Sequence, residues 1–275
     1  MSLPAHLAEL EQEEFVRQRI SPRRGDPYYL HLSDLLLALK QHATQEHIRI
    51  LDFGCGGSPY RSLFPNAEYF RADVHGAKDL DFEIGEGGEV NAPGESFDLL
   101  LSTQVLEHCP SPHTYLRESH RVLRRSGRLI LTTHGLFEDH ACPNDFHRWT
   151  EDGLRALLTQ SGFAVDSIVR LTMGPRAGFQ LFQSAISGVS VRDRPGLGRF
   201  ILRPIWRVLL ARRVWDPLLD AMFPEYRVSG SRRLPADTSY IALLAVAQPR
   251  KVKTDIYSLP GNLSVDAISG HWHVG

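Results

Sequence analysis

The stretch "ILDFGCGGSP", residues 50–59, limits the fold more than any other part of the chain: an apolar run reaches Asp52 and is followed by Gly54, Gly56 and Gly57. A buried strand that breaks into closely spaced glycines makes a sharp turn whose backbone can approach a ligand. A dinucleotide fingerprint needs a third glycine where Pro59 stands, and a phosphate loop needs a Gly-Lys-Ser/Thr that does not follow. What remains is a turn suited to an adenosine and an amino-acid carboxylate, with an acidic residue at the end of the next strand for ribose hydroxyls. Asp73, closing "EYFRAD", holds that place.

Around this turn strands alternate with helices. "LAELEQEEFVRQRI" and "YYLHLSDLLLALKQHA" have helical spacing of apolar residues and precede the first strand, "IRILDF". A short helix is expected after the glycines. "EYFRADV", "SFDLLLSTQ", "RLILTTHG", "AVDSIVRL" and "SYIALLAVAQ" read as further strands. "SPHTYLRESHRVLRRSG" reads as a helix ending at Gly127, and "TEDGLRALLTQSGF" as a helix capped by Thr150. The residues from Lys78 to Glu95 are Gly-rich and acidic. Such alternation implies an α/β chain with a mostly parallel sheet, helices on both faces, and ligands at the carboxyl ends of the strands. The expected organisation is a helical cap over residues 1–46, a catalytic domain over 47–249 with a basic insertion at 174–237, and a polar tail over 250–275.

Length and charge set the class of partner. A chain of 275 residues can bury a full core, and its net charge of -1 offers no general field for nucleic acid. The three cysteines, Cys55, Cys109 and Cys142, have no paired spacing, so a disulfide scaffold is not expected. The Glu-rich start lacks the pattern of a signal peptide, and a cytoplasmic location is expected.

"ILDFGCGGSPY", "RADVHG" and "SFDLLLSTQVLEHCPSPHTYLRESHRVLRRSGRLILTT", in that order, resemble the successive motifs of class I S-adenosylmethionine-dependent methyltransferases. The resemblance spans residues 47–171, and "SYIALLAVAQ" fits the family's last strand. It implies a Rossmann-like, seven-stranded, mostly parallel sheet with an antiparallel last strand. It also implies S-adenosyl-L-methionine as cofactor, held by Asp52, Gly54, Cys55 and Gly56 in the turn and by Asp73 at the ribose. Asp81 is the looser candidate at the adenine end, and Gln104 at the wall beside the methionine moiety. "HACPNDFHRWTEDGLRALLTQSGF" resembles a segment found in a subset of these enzymes, many associated with surface polysaccharide or lipid-linked sugar pathways. The expected acceptor is therefore an oxygen of a small or lipid-linked molecule, with a sugar as the leading choice.

A hydroxyl acceptor gains from a base, and histidine suits that role near neutral pH. His108, His134, His140 and His147 fall at the expected active edge. His108 and His147 are favoured as base, with Arg148 or Asp145 orienting the substrate. The spacing of His134, His140, Cys142 and His147 matches no compact ligand pattern, so no metal is expected. Cys55 reads as a packing residue.

The last feature is "RFILRPIWRVLLARRVW", residues 199–215. Projected as one helix, Arg199, Arg203, Arg207 and Arg213 gather on one side and Ile201, Ile205, Val208, Leu209 and Trp215 on the other. Two readings stay open: a lid docked on the domain, or a peripheral membrane contact with Trp206 and Trp215 near the headgroups.

Overall fold

A computed structural model describes residues 5–74, 79–140, 142, 144–187, 205, 207–229 and 238–250. Arg199, Ile201, Arg203, Pro204, Trp206 and the tail from residue 251 onward lie outside the described residues.

Seven strands form one sheet: β1 (Arg49–Phe53), β2 (Glu68–Val74), β3 (Phe82–Ile84), β4 (Phe97–Thr103), β5 (Leu123–His134), β6 (Phe163–Met173) and β7 (Tyr240–Pro249). Their order is β3-β2-β1-β4-β5-β7-β6. Neighbours are parallel from β3 to β5, whereas β7 runs antiparallel to both β5 and β6. The order reverses between β1 and β4, which places the ligand crevice where the two strands end, at Phe53 and Thr103.

Successive residues of the central strands serve opposite faces. Leu51, Leu100, Leu129 and Leu131 pack with Leu116 of α3 (Pro112–Val122) and Leu154 and Leu158 of α4 (Glu151–Gln160). Ile50, Leu99, Leu101 and Ile130 pack with Leu35 and Leu39 of α2 (Tyr29–Lys40) and Ala177 of α5 (Gly174–Ser187). Both faces being covered, these strands carry runs of consecutive apolar residues, as buried parallel strands do. Thr150 caps α4 as expected, its hydroxyl accepting from Gly153 N at 3.1 Å.

Three expectations need correction. The helix expected to end at Gly127 ends at Val122, and β5 begins at Leu123. Gly127 instead lies inside β5 where the register with β4 shifts, and a Cβ there would come within 3.0 Å of the Phe97 carbonyl. The helix expected after the glycines is only a single 3-10 turn, Arg61–Leu63. The helix projected from about Pro204 through Trp215 breaks before Ala211, and α6 (Arg212–Met222) starts afresh. Trp215 therefore packs inward, its Nε1 donating to the Val208 carbonyl at 2.8 Å and its ring 5.1 Å from that of Phe179.

The N-terminal cap, formed by α1 (Ala5–Ile20) and α2, is joined to the insertion by buried charges. Arg176 of α5 donates through Nε and Nη2 to the two oxygens of Asp34 of α2, at 3.1 and 2.9 Å, with both side chains fully buried. Arg227 donates to the same carboxylate, and Thr172 adds its hydroxyl. Asp220 of α6 accepts from Arg176, Tyr29 and Arg24.

Candidate active site

The turn after β1 is held by the end of β2. The Gly54 and Cys55 amides both donate to the Ala72 carbonyl, at 2.9 and 3.0 Å. The Gly56 amide donates to Asp73 Oδ2 at 2.6 Å, while Asp73 Oδ1 accepts from Val74 N. Gly54 and Gly56 have φ of +82° and +48°, a region that costs glycine nothing. They differ in surroundings. A Cβ on Gly54 would stand 2.5 Å from Val105, so the turn presses on the segment after β4, whereas a Cβ on Gly56 would meet nothing within 4 Å. That open space beside an ionisable carboxylate is a cradle of the kind an adenosine cofactor requires, and the residues fit one. Asp73 Oδ2 also accepts from the Cys55 thiol, while Oδ1 keeps a lone pair for a ribose hydroxyl.

The other residues expected around the cofactor divide. Asp52 is buried beneath the turn, accepts from the Tyr69 hydroxyl at 2.8 Å, and is pushed by burial up to about 7. It supports the turn from below. Cys55 is buried beside Asp73, and burial raises its thiol to about 12, which suits packing and not nucleophilic chemistry. Gln104 follows β4 with φ +57° and its Nε2 meets His31 Nε2 at 2.5 Å. Asp81 does not join them. It precedes β3 at the level of Arg71, two residues short of the strand's pairing with Asp73, and its Oδ2 accepts from Arg71 N. The carboxyl end of β3 leads instead into the Gly85–Gly88 turn.

Two contributors were not anticipated. Arg71 holds the turn from outside, donating to the Gly56 carbonyl and the Ser58 hydroxyl at 3.0 and 3.1 Å. His31 enters from the buried face of α2, where an imidazole among leucines was the available signal. Gln12 and Val16 of α1 also lie against Gly57, which closes the cap over the turn.

The histidines collect beside this cradle. His134 ends β5, is 2% exposed, and stacks on Phe137 at 4.1 Å. Its Nε2 stands 3.2 Å from Oε1 of the buried Glu107, whose Oε2 accepts from the Thr133 hydroxyl. The rings of His134 and His108 lie 5.0 and 4.9 Å from that of His140. His108 donates from Nδ1 to the Asn144 carbonyl at 2.7 Å, a tautomer that leaves a lone pair on Nε2, and burial lowers its pKa. His147 stands apart: its amide is tied to the Glu107 carbonyl, its ring lies 5.4 Å from Trp149, and its Nε2 is buried without a partner.

Arg148 is not placed to orient a substrate. Its guanidinium forks onto both oxygens of Asp145 at 2.6 and 2.5 Å and donates to the carbonyls of Phe137, Glu138 and His147. Five N–H donors meet five acceptors, so the pair clamps the loop from Phe137 to Arg148.

A methyltransferase-domain family profile matches residues 51–131, the span from the glycine turn to β5. That segment is similar to methyltransferase domains. The chain is 29% identical over 158 residues to a ubiquinone biosynthesis O-methyltransferase of Ruegeria sp. (strain TM1040), covering 45% of this chain and 63% of that protein. It is 28% identical over 120 residues to a malonyl-(acyl-carrier protein) O-methyltransferase of Methylococcus capsulatus, covering 38% and 44%. The chain thus spans less than two thirds of the length of these relatives. Among solved structures, the (4+2)-cyclase SpnF shares the fold at a TM-score of 0.51 and 16% identity, covering 88% of this chain and 92% of that one.

Proposed function

We propose that the protein transfers a methyl group from S-adenosylmethionine to a hydroxyl oxygen. The observation that carries this reading is the Gly54–Gly56 turn facing the Asp73 carboxylate at the switch point of the sheet, within the matched methyltransferase segment. The relatives named as O-methyltransferases support oxygen as the acceptor atom. Gly54, Gly56, Asp73 and Gln104 would hold the cofactor, which supplies an activated sulfonium methyl. The chain's own part is to align the acceptor and exclude water, worth about 7 to 11 kcal/mol in well-oriented systems. His108 is the base this reading assigns, since its Nε2 lone pair is available while His147 Nε2 is buried.

The finer reading is a lipid-linked acceptor, a sugar first, met at a membrane surface. Val214, Leu218 and Met222 form one exposed apolar row on α6, at 63, 42 and 56% exposure, with Arg213 exposed beside it. The contact proposed is peripheral; no helix among the described residues is long and apolar enough to cross a membrane.

The test is incubation with methyl-labelled S-adenosylmethionine and lysate fractions, followed by mass spectrometry. Label in a methyl ether of an extractable lipid supports both levels, label in a methyl ether of a water-soluble product supports only the coarser one, and label in a methyl ester or on nitrogen or carbon overturns the hydroxyl acceptor. No labelled product alongside tight S-adenosylhomocysteine binding would make this a binding protein. With a product in hand, His108→Ala should lower turnover by about a hundredfold to ten-thousandfold and leave cofactor affinity nearly unchanged.

A further inference from the structure

We propose that Glu107, His134 and His140 form a binding site for a divalent transition-metal ion of the zinc class, placed beside the cofactor turn to hold a hydroxyl oxygen of the acceptor. The three come from separate places: the 3-10 turn after β4, the last residue of β5, and the loop beyond it. One ligand atom from each lies within 4.8 Å of the other two. The Glu107–His134 separation of 3.2 Å is already that of two ligands on one ion with bonds of about 2.0–2.1 Å.

The surroundings favour an ion over a self-sufficient hydrogen-bonded pair. Glu107 is 0% exposed and its Oε1 has no hydrogen-bond partner, and the fully buried His134 Nδ1 has none either. A carboxylate buried without a cation is costly, and a divalent ion removes that cost. His140 is prepared as a ligand. Its Nδ1 faces Asp145 Oδ2 and the Glu138 carbonyl, both at 3.2 Å, so the lone pair belongs to Nε2. Asp145 is itself fixed by Arg148. This carboxylate–histidine arrangement is how proteins orient metal-binding imidazoles.

Two imidazoles and one carboxylate make a set that leaves coordination positions open, as in hydrolytic zinc sites. The cluster lies near the turn, since Val105, which a Cβ on Gly54 would meet, is two residues from Glu107. That an acceptor oxygen fills the open position rests on the methyltransferase reading; metal binding itself does not.

The untagged full-length chain, stripped with chelator and titrated with Co(II), provides the test, with Zn(II) content by elemental analysis as the second measure. About one equivalent should bind, with visible absorption from nitrogen and carboxylate ligation. Glu107→Gln and His140→Asn should each weaken metal binding by about tenfold to a hundredfold or more while keeping the thermal transition and S-adenosylhomocysteine affinity. Metal uptake below a tenth of an equivalent by the wild-type chain, at roughly micromolar free ion, overturns the proposal. So does unchanged Co(II) affinity in both variants. If metal binds but S-adenosylhomocysteine does not, the site stands and the methyltransferase reading falls.

Discussion

Asp73 accepts the Gly56 amide at 2.6 Å, so the residue proposed to hold the ribose also fixes the turn on which the cofactor would rest. Its two duties are inseparable in one carboxylate. Asp73→Ala should therefore lower S-adenosylhomocysteine affinity by about 1.5 to 3 kcal/mol or more, the worth of hydrogen bonds to a charged group. Calorimetry on the folded variant measures it, and unchanged affinity would remove Asp73 from the site.

Gly54→Ala meets two obstacles, a φ of +82° and Val105 at 2.5 Å. The strained backbone alone costs about 1 to 3 kcal/mol. Val105→Ala in the same chain should restore part of the lost stability by removing the collision, with the backbone cost remaining. A double variant no more stable than Gly54→Ala in urea denaturation contradicts this.

Asp52 makes the cofactor-free protein sensitive to pH. Burial raises its carboxyl from an ordinary 3.8 to about 7. Between those values the folded chain keeps a proton that the unfolded chain releases, so the contribution of Asp52 to stability falls as pH rises and is fully lost above about 7. Relative to Asp52→Asn, which cannot titrate, the wild type should lose a few kcal/mol between pH 4 and 7.5. A flat difference between their urea midpoints over that range would refute the shift.

Arg148→Lys removes the fork while retaining the charge. Because Arg148 serves Asp145 and three carbonyls, the loop from Phe137 to Arg148 should exchange its amides faster, and global stability should drop by about 1 to 3 kcal/mol. S-adenosylhomocysteine affinity should stay within a fewfold. A large loss of that affinity with a rigid loop would return Arg148 to the binding machinery.

Membrane contact is tested on α6. The chain should co-sediment with anionic liposomes at low salt, release as salt rises, and lose the interaction when Val214, Leu218 and Met222 are all made Ser. Trp215 is no longer a suitable target, since its ring is spent on Phe179. Intact protein remaining in the supernatant would leave α6 as a docked helix.

The turn and the central strands were legible because both rest on local pattern. Positive φ at Gly54 and Gly56 demands glycine, and strands covered on both faces demand unbroken apolar runs. β3 was not visible by pattern: three residues in a Gly-rich, acidic stretch carry too little alternation, and only its parallel pairing with β2 defines it. The same absence of local signal misplaced Asp81. The metal-site cluster was invisible for another reason. His134 and His140 share a short stretch of sequence, but Glu107 comes from the turn after β4, and only the parallel pairing of β4 with β5 brings it to His134. Arg148 showed its charge in the sequence but not that every donor was already engaged.

The burial of Asp34 between Arg176 and Arg227 has a consequence for how such a protein can diversify. Residues at the two ends of the domain share one charge balance: replacing the segment 174–237 by that of a relative would leave a carboxylate stranded in α2, and replacing α2 would strand a guanidinium in α5. Truncating one partner of such a buried pair typically costs about 3 to 5 kcal/mol. Cap and insertion are therefore coupled as one exchangeable unit around the sheet: a graft that carries both keeps the charge balance, and a graft of either alone does not.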